Sequence, residues 1–146
     1  MIAGAVFIAL YGLSYGVLLF IISIGLVITM GLMRVINIAH GAFAAIGGYL
    51  TFALVNWYGM PFFASLVLAM LGVAFLSFVV ERTLFVTLYS ANELSQVLLT
   101  IGIVFTSIAS LNWVFGPSPV PTRMPPILDG SVLVLGQPFP LYRLFI

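Results

Sequence analysis

Four long apolar stretches, separated by short polar segments, follow one another along the first 115 residues of the chain. They cover residues 2–32, 41–57, 62–80 and 97–115. Because an α-helix rises ~1.5 Å per residue, about 20 residues cross the ~30 Å hydrocarbon core of a bilayer. The first stretch is long enough to cross with a tilt, whereas the second is short for a complete crossing. The pattern predicts an all-α polytopic membrane protein with about four transmembrane helices.

Proline changes the pattern after the fourth stretch, since seven of the eight prolines lie within residues 117–140. Proline lacks the backbone donor that a helix needs and clashes with the preceding turn. Asp129 and Gly130 form a turn signal before a strand-like apolar run, which favours a small hairpin. Irregular backbone exposed to lipid would leave polar groups unsatisfied, so we expect residues 116–140 to form a loop outside the membrane. Residues 141–146 are apolar again and predict the start of a further span.

Composition narrows the possible functions. Hydrophobic residues make up 64% of the 146 residues and charged residues only 5%, whereas an average soluble domain is about 25% charged. Cysteine and lysine are absent, which excludes disulfides, cysteine zinc sites and a Walker A phosphate loop in this chain. The net charge of +1 offers no basic surface for nucleic acid. A channel, a transporter subunit, a membrane assembly factor or an unusual intramembrane enzyme remains, and no cofactor is expected.

Small residues recur four positions apart in the first two stretches. Gly12 and Gly16 form a GxxxG pair, and Ala44 and Gly48 repeat the spacing in the second stretch. Such spacing lets two membrane helices approach closely. These residues therefore indicate helix packing, and they carry no information about a substrate.

A polar run of Arg34, Asn37 and His40 separates the first two stretches. If the segment is helical, steps of three residues put these side chains on one broad face. Polar groups at membrane depth are costly and often mark a pathway, so these residues and Gly41 are candidates for a substrate pathway or gate. The alternative is a simple turn at the membrane surface, with Arg34 among the headgroups. Metal binding is not expected at His40, the single histidine, because no second ligand lies near it in the sequence.

Two further polar pairs mark predicted helix ends. Glu81 and Arg82 end the third apolar stretch and indicate its solvated, cytoplasmic end. Ser90 and Glu93 match the capping-box pattern, in which a hydroxyl and a carboxylate bond to free backbone N–H groups. We therefore expect a capping box at the entrance of the fourth helix. No arrangement resembles a hydrolase triad or a usable carboxylate pair, so the chain is not expected to be an enzyme.

The distribution of the arginines predicts the orientation of the chain across the membrane. With four spans, Arg34 and Arg82 lie on one side and Arg123 on the other. The excess of positive charge marks the cytoplasmic side, and Trp57 and Trp113 then lie at the outer interface, where aromatic belts form. We expect the N-terminus and the loop 116–140 to be outside.

Five stretches together resemble a known family. Residues 31–43, GLMRVINIAHGAF, closely resemble the signature of LivH-type permeases, which are membrane subunits of bacterial ABC importers for branched-chain amino acids. Agreement in order and spacing continues at residues 47–50, 81–82, 99–103 and 115–117. The His-Gly motif is fairly specific to this family, and the other stretches support it.

The resemblance implies a subunit of the translocation pathway in a bacterial inner membrane. Two permease subunits would assemble with two cytoplasmic ATPase subunits and an external substrate-binding protein, and the ATPases would drive alternating access. Since family permeases are about twice this long, the chain resembles the N-terminal half of a permease bundle, from a truncated product or a split gene. One departure is the uncharged segment 85–89, because family members usually carry basic residues there.

The resemblance leaves two alternatives open. Related permeases serve urea and short-chain amides instead of branched-chain amino acids. A structural membrane subunit without transport activity would have similar composition, but it has no reason to contain the run RVINIAHG. Within the importer interpretation, we also expect the loop 116–140 to form part of the surface on which the binding protein docks.

Overall fold

The chain is built mainly from long helices. The computed structural model describes residues 2–33, 37–134 and 136–145, except for the side chains of residues 2, 3, 29, 30, 32 and 33. The elements in chain order are α1 (Ile2–Met33), α2 (His40–Asn56), α3 (Phe62–Val80), a π-helical turn (Glu81–Phe85), α4 (Val86–Leu88), α5 (Glu93–Phe115), β1 (Ser131–Val134), β2 (Gln137–Pro140) and α6 (Leu141–Phe145).

Length and hydropathy confirm the predicted class, a helical polytopic membrane protein. Within the described residues, three helical segments are long and apolar enough to cross a bilayer: Gly4–Ile28, Phe62–Leu88 and Glu93–Phe115. The remaining long helix, α2, has 17 residues. At ~1.5 Å per residue it is about 26 Å long, slightly less than the ~30 Å hydrocarbon core. A fourth span in α2 therefore stays a prediction.

The third helix does not end at Glu81 and Arg82, and the prediction of a helix end there is wrong. The backbone continues through the π-helical turn and α4, so that the helical segment extends from Phe62 to Leu88. Glutamate and arginine are both good helix formers, and a charged pair can therefore lie inside a helix as well as at its end. A π-helical turn inserts one extra residue per turn and is often found at functional sites.

The fourth long helix has a different cap from the predicted one. Asn92 is the N-cap, and its side-chain oxygen accepts a hydrogen bond of 2.9 Å from the backbone N–H of Ser95. Ser90 lies two residues before the cap, and Glu93 is the first helical residue, so the predicted capping box is wrong. Asparagine is among the best N-cap residues, which explains why it takes this position.

The Pro-rich segment contains a two-stranded antiparallel hairpin. β1 and β2 pair in a register that sets Val132 opposite Phe139. The predicted turn at Asp129 and Gly130 lies before β1 and does not join the strands, so that part of the prediction is wrong. The strands meet around Gly136, whose φ of 82° falls in the left-handed region that glycine tolerates best.

The chain divides into two compact units. The terminal unit comprises Met1–Ile24 and Met124–Ile146, and the helical unit comprises Gly25–Arg123. Large aromatic side chains hold the terminal unit together. Phe139 is fully buried, with its ring centroid 5.9 Å from that of Phe7 and 5.0 Å from that of Tyr11.

Arginine and serine complete the terminal unit. The guanidinium of Arg143 lies 4.4 Å from the ring centroid of Tyr11, and its Nε donates to the hydroxyl of Tyr142 over 3.0 Å. The hydroxyl of Ser14 lies 2.9 Å from the carbonyl of Arg143, to which it donates. These contacts attach α6 to the first half of α1.

Small residues hold α2 against α3 in the helical unit. Ser65 and Ala69 of α3 are buried. A methyl group added at Gly47 would lie 3.5 Å from Val73 Cγ2, and one added at Gly72 would lie 3.5 Å from Leu50 Cδ1. Small residues at a crossing allow this close approach of two membrane helices.

Candidate functional site

The polar run between α1 and α2 is the candidate site, and the structure describes its second half. Arg34 lies outside the described residues. Asn37 precedes α2, and its Oδ1 is buried with no hydrogen-bond partner among the described residues. His40 is the first residue of α2, and Gly41, the second, is exposed. An unpaired buried amide oxygen is costly and calls for a partner or a function.

The imidazole of His40 packs directly against α1 at Gly25. A Cβ built on Gly25 would overlap the Cε1 and Nε2 atoms of His40 and would lie 3.2 Å from Nδ1. Gly25 falls within the candidate span Gly4–Ile28. The start of α2 therefore lies beside a residue of the candidate span, eight residues before the end of α1.

Other polar side chains are buried elsewhere in the helical unit. Thr51, Ser65 and Thr100 are buried. The hydroxyls of Thr51 and Thr100 each donate to a backbone carbonyl of their own helix at 2.9 Å. The hydroxyl of Ser65 donates to the carbonyl of Pro61, the N-cap of α3, at 3.0 Å. Gln96 is also buried, and its amide donates to the carbonyls of Leu88 and Ala91 at 3.3 and 3.4 Å.

Gln96 was not among the residues predicted from the sequence. Its Oε1 is buried and has no partner within the described part of the chain, as is the case for Asn37. The sequence feature that could have indicated Gln96 is a side-chain amide in the first turn of an otherwise apolar helix. The side chain joins the turn between α4 and α5 to the helix that follows.

An open groove of about 650 Å³ lies between α2, α3 and α5. Its lining is mostly aliphatic, with Gly102, Thr106, Ser107 and Ser110 contributed by α5. The hydroxyls of Thr106 and Ser110 donate to carbonyls one turn earlier in α5, at 2.8 Å each. This volume is within the ~300–1,000 Å³ typical of small-molecule pockets, and the groove offers few polar contacts.

The residues predicted to pack helices lie on the surface. Gly12, Gly16, Ala44 and Gly48 are exposed, and a methyl group added at any of the three glycines would meet no atom within 4 Å. The contacts within the chain use Gly47 and its neighbours instead. Close approach of another helix to Gly12, Gly16, Ala44 and Gly48 stays a prediction.

The charged residues near α4 and α5 do not form one site. Glu81 is half-buried, while Arg82, Ser90 and Glu93 are exposed. Arg82 lies over the ring of Phe78, with 5.6 Å between its Cζ and the ring centroid. Within the described residues no three histidine, cysteine or acidic side chains are close enough to hold a metal ion.

Comparison with known proteins identifies the family. A search among curated proteins and a search among solved structures give no significant match. The family model for the permease component of branched-chain amino acid transport systems matches residues 8–142. This match includes the polar run, the groove and the hairpin. Since it covers nearly the whole sequence, the chain belongs to the family of branched-chain amino acid transport permease components.

Proposed function

We propose that the chain forms part of the translocation pathway of a bacterial ABC importer for branched-chain amino acids. The family match over residues 8–142 carries this proposal. The chain has no lysine for a Walker A loop, so separate ATPase subunits supply the energy. A second permease subunit completes the pathway, and an external binding protein delivers the substrate.

The proposed topology has four spans in the bacterial inner membrane, with α2 as the fourth. The indole of Trp57, next to the end of α2, stacks on Phe115, the last residue of α5, with 4.9 Å between ring centroids. This contact supports the topology, because α2 and α5 then end on the same side and α3 crosses between them. The N-terminus and the Pro-rich segment are placed outside, on the side where the binding protein docks.

The polar run is proposed as part of the gate. His40 touches α1 at Gly25, inside the candidate span Gly4–Ile28. This contact with a residue of the candidate span supports a pathway role over a simple turn among the headgroups, because polar groups within a span are costly unless they serve a function. The buried oxygen of Asn37, which has no partner among the described residues, would accept a hydrogen bond from an ammonium or amide group when the gate opens.

Affinity purification of the protein from native membranes in mild detergent tests the assembly. We expect mass spectrometry to recover ATPase subunits, a second permease and the binding protein, whose ligand separates branched-chain amino acids from urea or short amides. Recovery of this chain alone in several detergents would favour a structural membrane subunit instead.

Cysteine labelling tests the topology, because the chain contains no cysteine of its own. An Asp129→Cys variant should react with a membrane-impermeant maleimide added outside the cells. The matched Glu93→Cys variant, on the opposite side, should react only after permeabilisation. Labelling of Glu93→Cys alone from outside would reverse the proposed orientation.

Uptake measurements test the gate. Alanine at Asn37 or His40 should lower uptake severalfold without lowering the amount of protein in the membrane. Asn56→Ala is the matched control, since Asn56 is an amide at the other end of α2 and donates to the carbonyl of Phe52 in its own helix. Normal uptake by both test variants would refute the gate.

A further inference from the structure

We propose that Gly25 is a positioning residue for His40: its missing side chain lets the imidazole lie against α1 and thereby fixes where the ring sits. The inference rests on the proposed function, in which His40 belongs to the gate. It concerns a contact between residues 15 positions apart in the sequence, which neither the composition nor the motif containing His40 indicates.

The glycines of α1 differ sharply in their surroundings. A methyl group added at Gly4, Gly12, Gly16 or Gly31 would meet no atom within 4 Å. The same methyl group at Gly25 would overlap two ring atoms of His40. Gly25 is thus the α1 glycine at which an added Cβ would displace the His40 ring from its described position.

The atoms that a Cβ at Gly25 would overlap belong to the His40 side chain. The overlapping atoms, Cε1 and Nε2, belong to a planar ring held on the first residue of α2. Any side chain at position 25 must therefore turn the ring to another rotamer or move the start of α2 away from α1. Either change takes the imidazole from its place, and movement of the start of α2 also shifts the segment that carries Asn37.

A substitution at Gly25 separates positioning from folding. Alanine is a better helix former than glycine by ~1 kcal/mol per residue, so Gly25→Ala does not weaken α1 itself. A loss of transport in this variant is then assigned to the displaced ring when the variant is still inserted and assembled. Gly4→Ala is the matched control, because it makes the same change in the same helix in open space.

Chemical modification reports on the ring directly, because His40 is the single histidine of the chain. The assembled importer is treated with diethyl pyrocarbonate, and the rate of modification is followed on the peptide that contains His40. We expect Gly25→Ala to change this rate severalfold and Gly4→Ala to leave it as in the unchanged protein. An unchanged rate in Gly25→Ala would overturn the inference.

Uptake by single and double variants completes the test, since residues that act through one another give non-additive effects. We expect Gly25→Ala and His40→Ala each to lower uptake, and the double variant to be no worse than His40→Ala. An additive further loss in the double variant would overturn the inference, because Gly25 would then act independently of His40. A changed modification rate with normal uptake in His40→Ala would leave the positioning contact supported and would refute the gate.

Discussion

The core of the terminal unit and the α2–α3 contact of the helical unit are packed by different kinds of side chain. The terminal unit packs the fully buried ring of Phe139 among other aromatic residues. In the helical unit, α2 and α3 approach each other where Gly47 lies beside Val73 and Gly72 lies beside Leu50. A large buried ring contributes through the apolar surface that it covers, whereas small residues contribute by letting two helices approach closely. The first contact should therefore be sensitive to lost volume and the second to added volume.

The largest expected effect is in the terminal unit. Phe139→Ala removes a fully buried aromatic ring, a change that typically costs about 3–5 kcal/mol. We expect the segment after Arg123 to become sensitive to limited proteolysis in this variant. Val132→Ala is the control, because Val132 is opposite Phe139 in the hairpin and 42% exposed. Equal resistance of the two variants would contradict the packing account.

The helical unit should be sensitive to added volume instead. Ala69 is 2% exposed and precedes Gly72, which approaches Leu50 of α2, by three residues on the same face of α3. Overpacking a tight site typically costs ~1–3 kcal/mol. Ala69→Phe should therefore lower the thermal midpoint of the purified protein in detergent. Ala74→Phe, on an exposed position of the same helix, should leave it nearly unchanged. A larger loss in Ala74→Phe would show that the crossing lies on another face.

A smaller effect is expected at the N-terminus of α5, where it distinguishes Asn92 from Ser90 as the capping residue. Asn92→Ala removes the hydrogen bond to Ser95 N and should cost ~1 kcal/mol, the usual value for a lost N-cap. Hydrogen exchange of the first α5 amides should become faster. Ser90→Ala should leave this exchange unchanged. Faster exchange in Ser90→Ala and unchanged exchange in Asn92→Ala would support the predicted capping box instead.

The smallest effect is expected from a single methyl group at the crossing. The Cβ of Gly72→Ala would lie 3.5 Å from Leu50, an ordinary contact distance. Since alanine also favours the helix by up to ~1 kcal/mol, thermal stability should stay the same or rise slightly. Gly72→Leu should lower it. A large loss in Gly72→Ala would mean that the helices lie closer than described.

Sequence periodicity located the long helices better than their ends. The apolar stretches correspond to α1, α2, α3 and α5, because hydropathy over about 20 residues identifies a membrane helix. The continuation past Glu81 could not be predicted, since a charged pair is compatible with either a helix end or a helix interior. The hairpin turn predicted at Gly130 lies instead around Gly136 for a similar reason, because either glycine is compatible with a turn.

The candidate site was only partly visible in the sequence. Asn37 and His40 stand out as polar residues between apolar stretches, and the sequence is enough to select them. Gly25 does not stand out, because its importance depends on the His40 ring lying beside it. Contacts between helices are tertiary, and spacing within one helix cannot reveal them. The same limit explains why Gly48 was selected for packing while Gly47 makes the contact.

The most direct test of the central claim is transport by the purified complex in proteoliposomes. The protein is reconstituted with the ATPase, permease and binding-protein subunits that copurify with it, and uptake of labelled leucine and labelled urea is measured with and without ATP. The account predicts ATP-dependent uptake of leucine that requires the binding protein and falls in the His40→Ala variant. ATP-dependent uptake of urea alone would contradict the proposed substrate, and no ATP-dependent uptake of either compound would contradict the importer function.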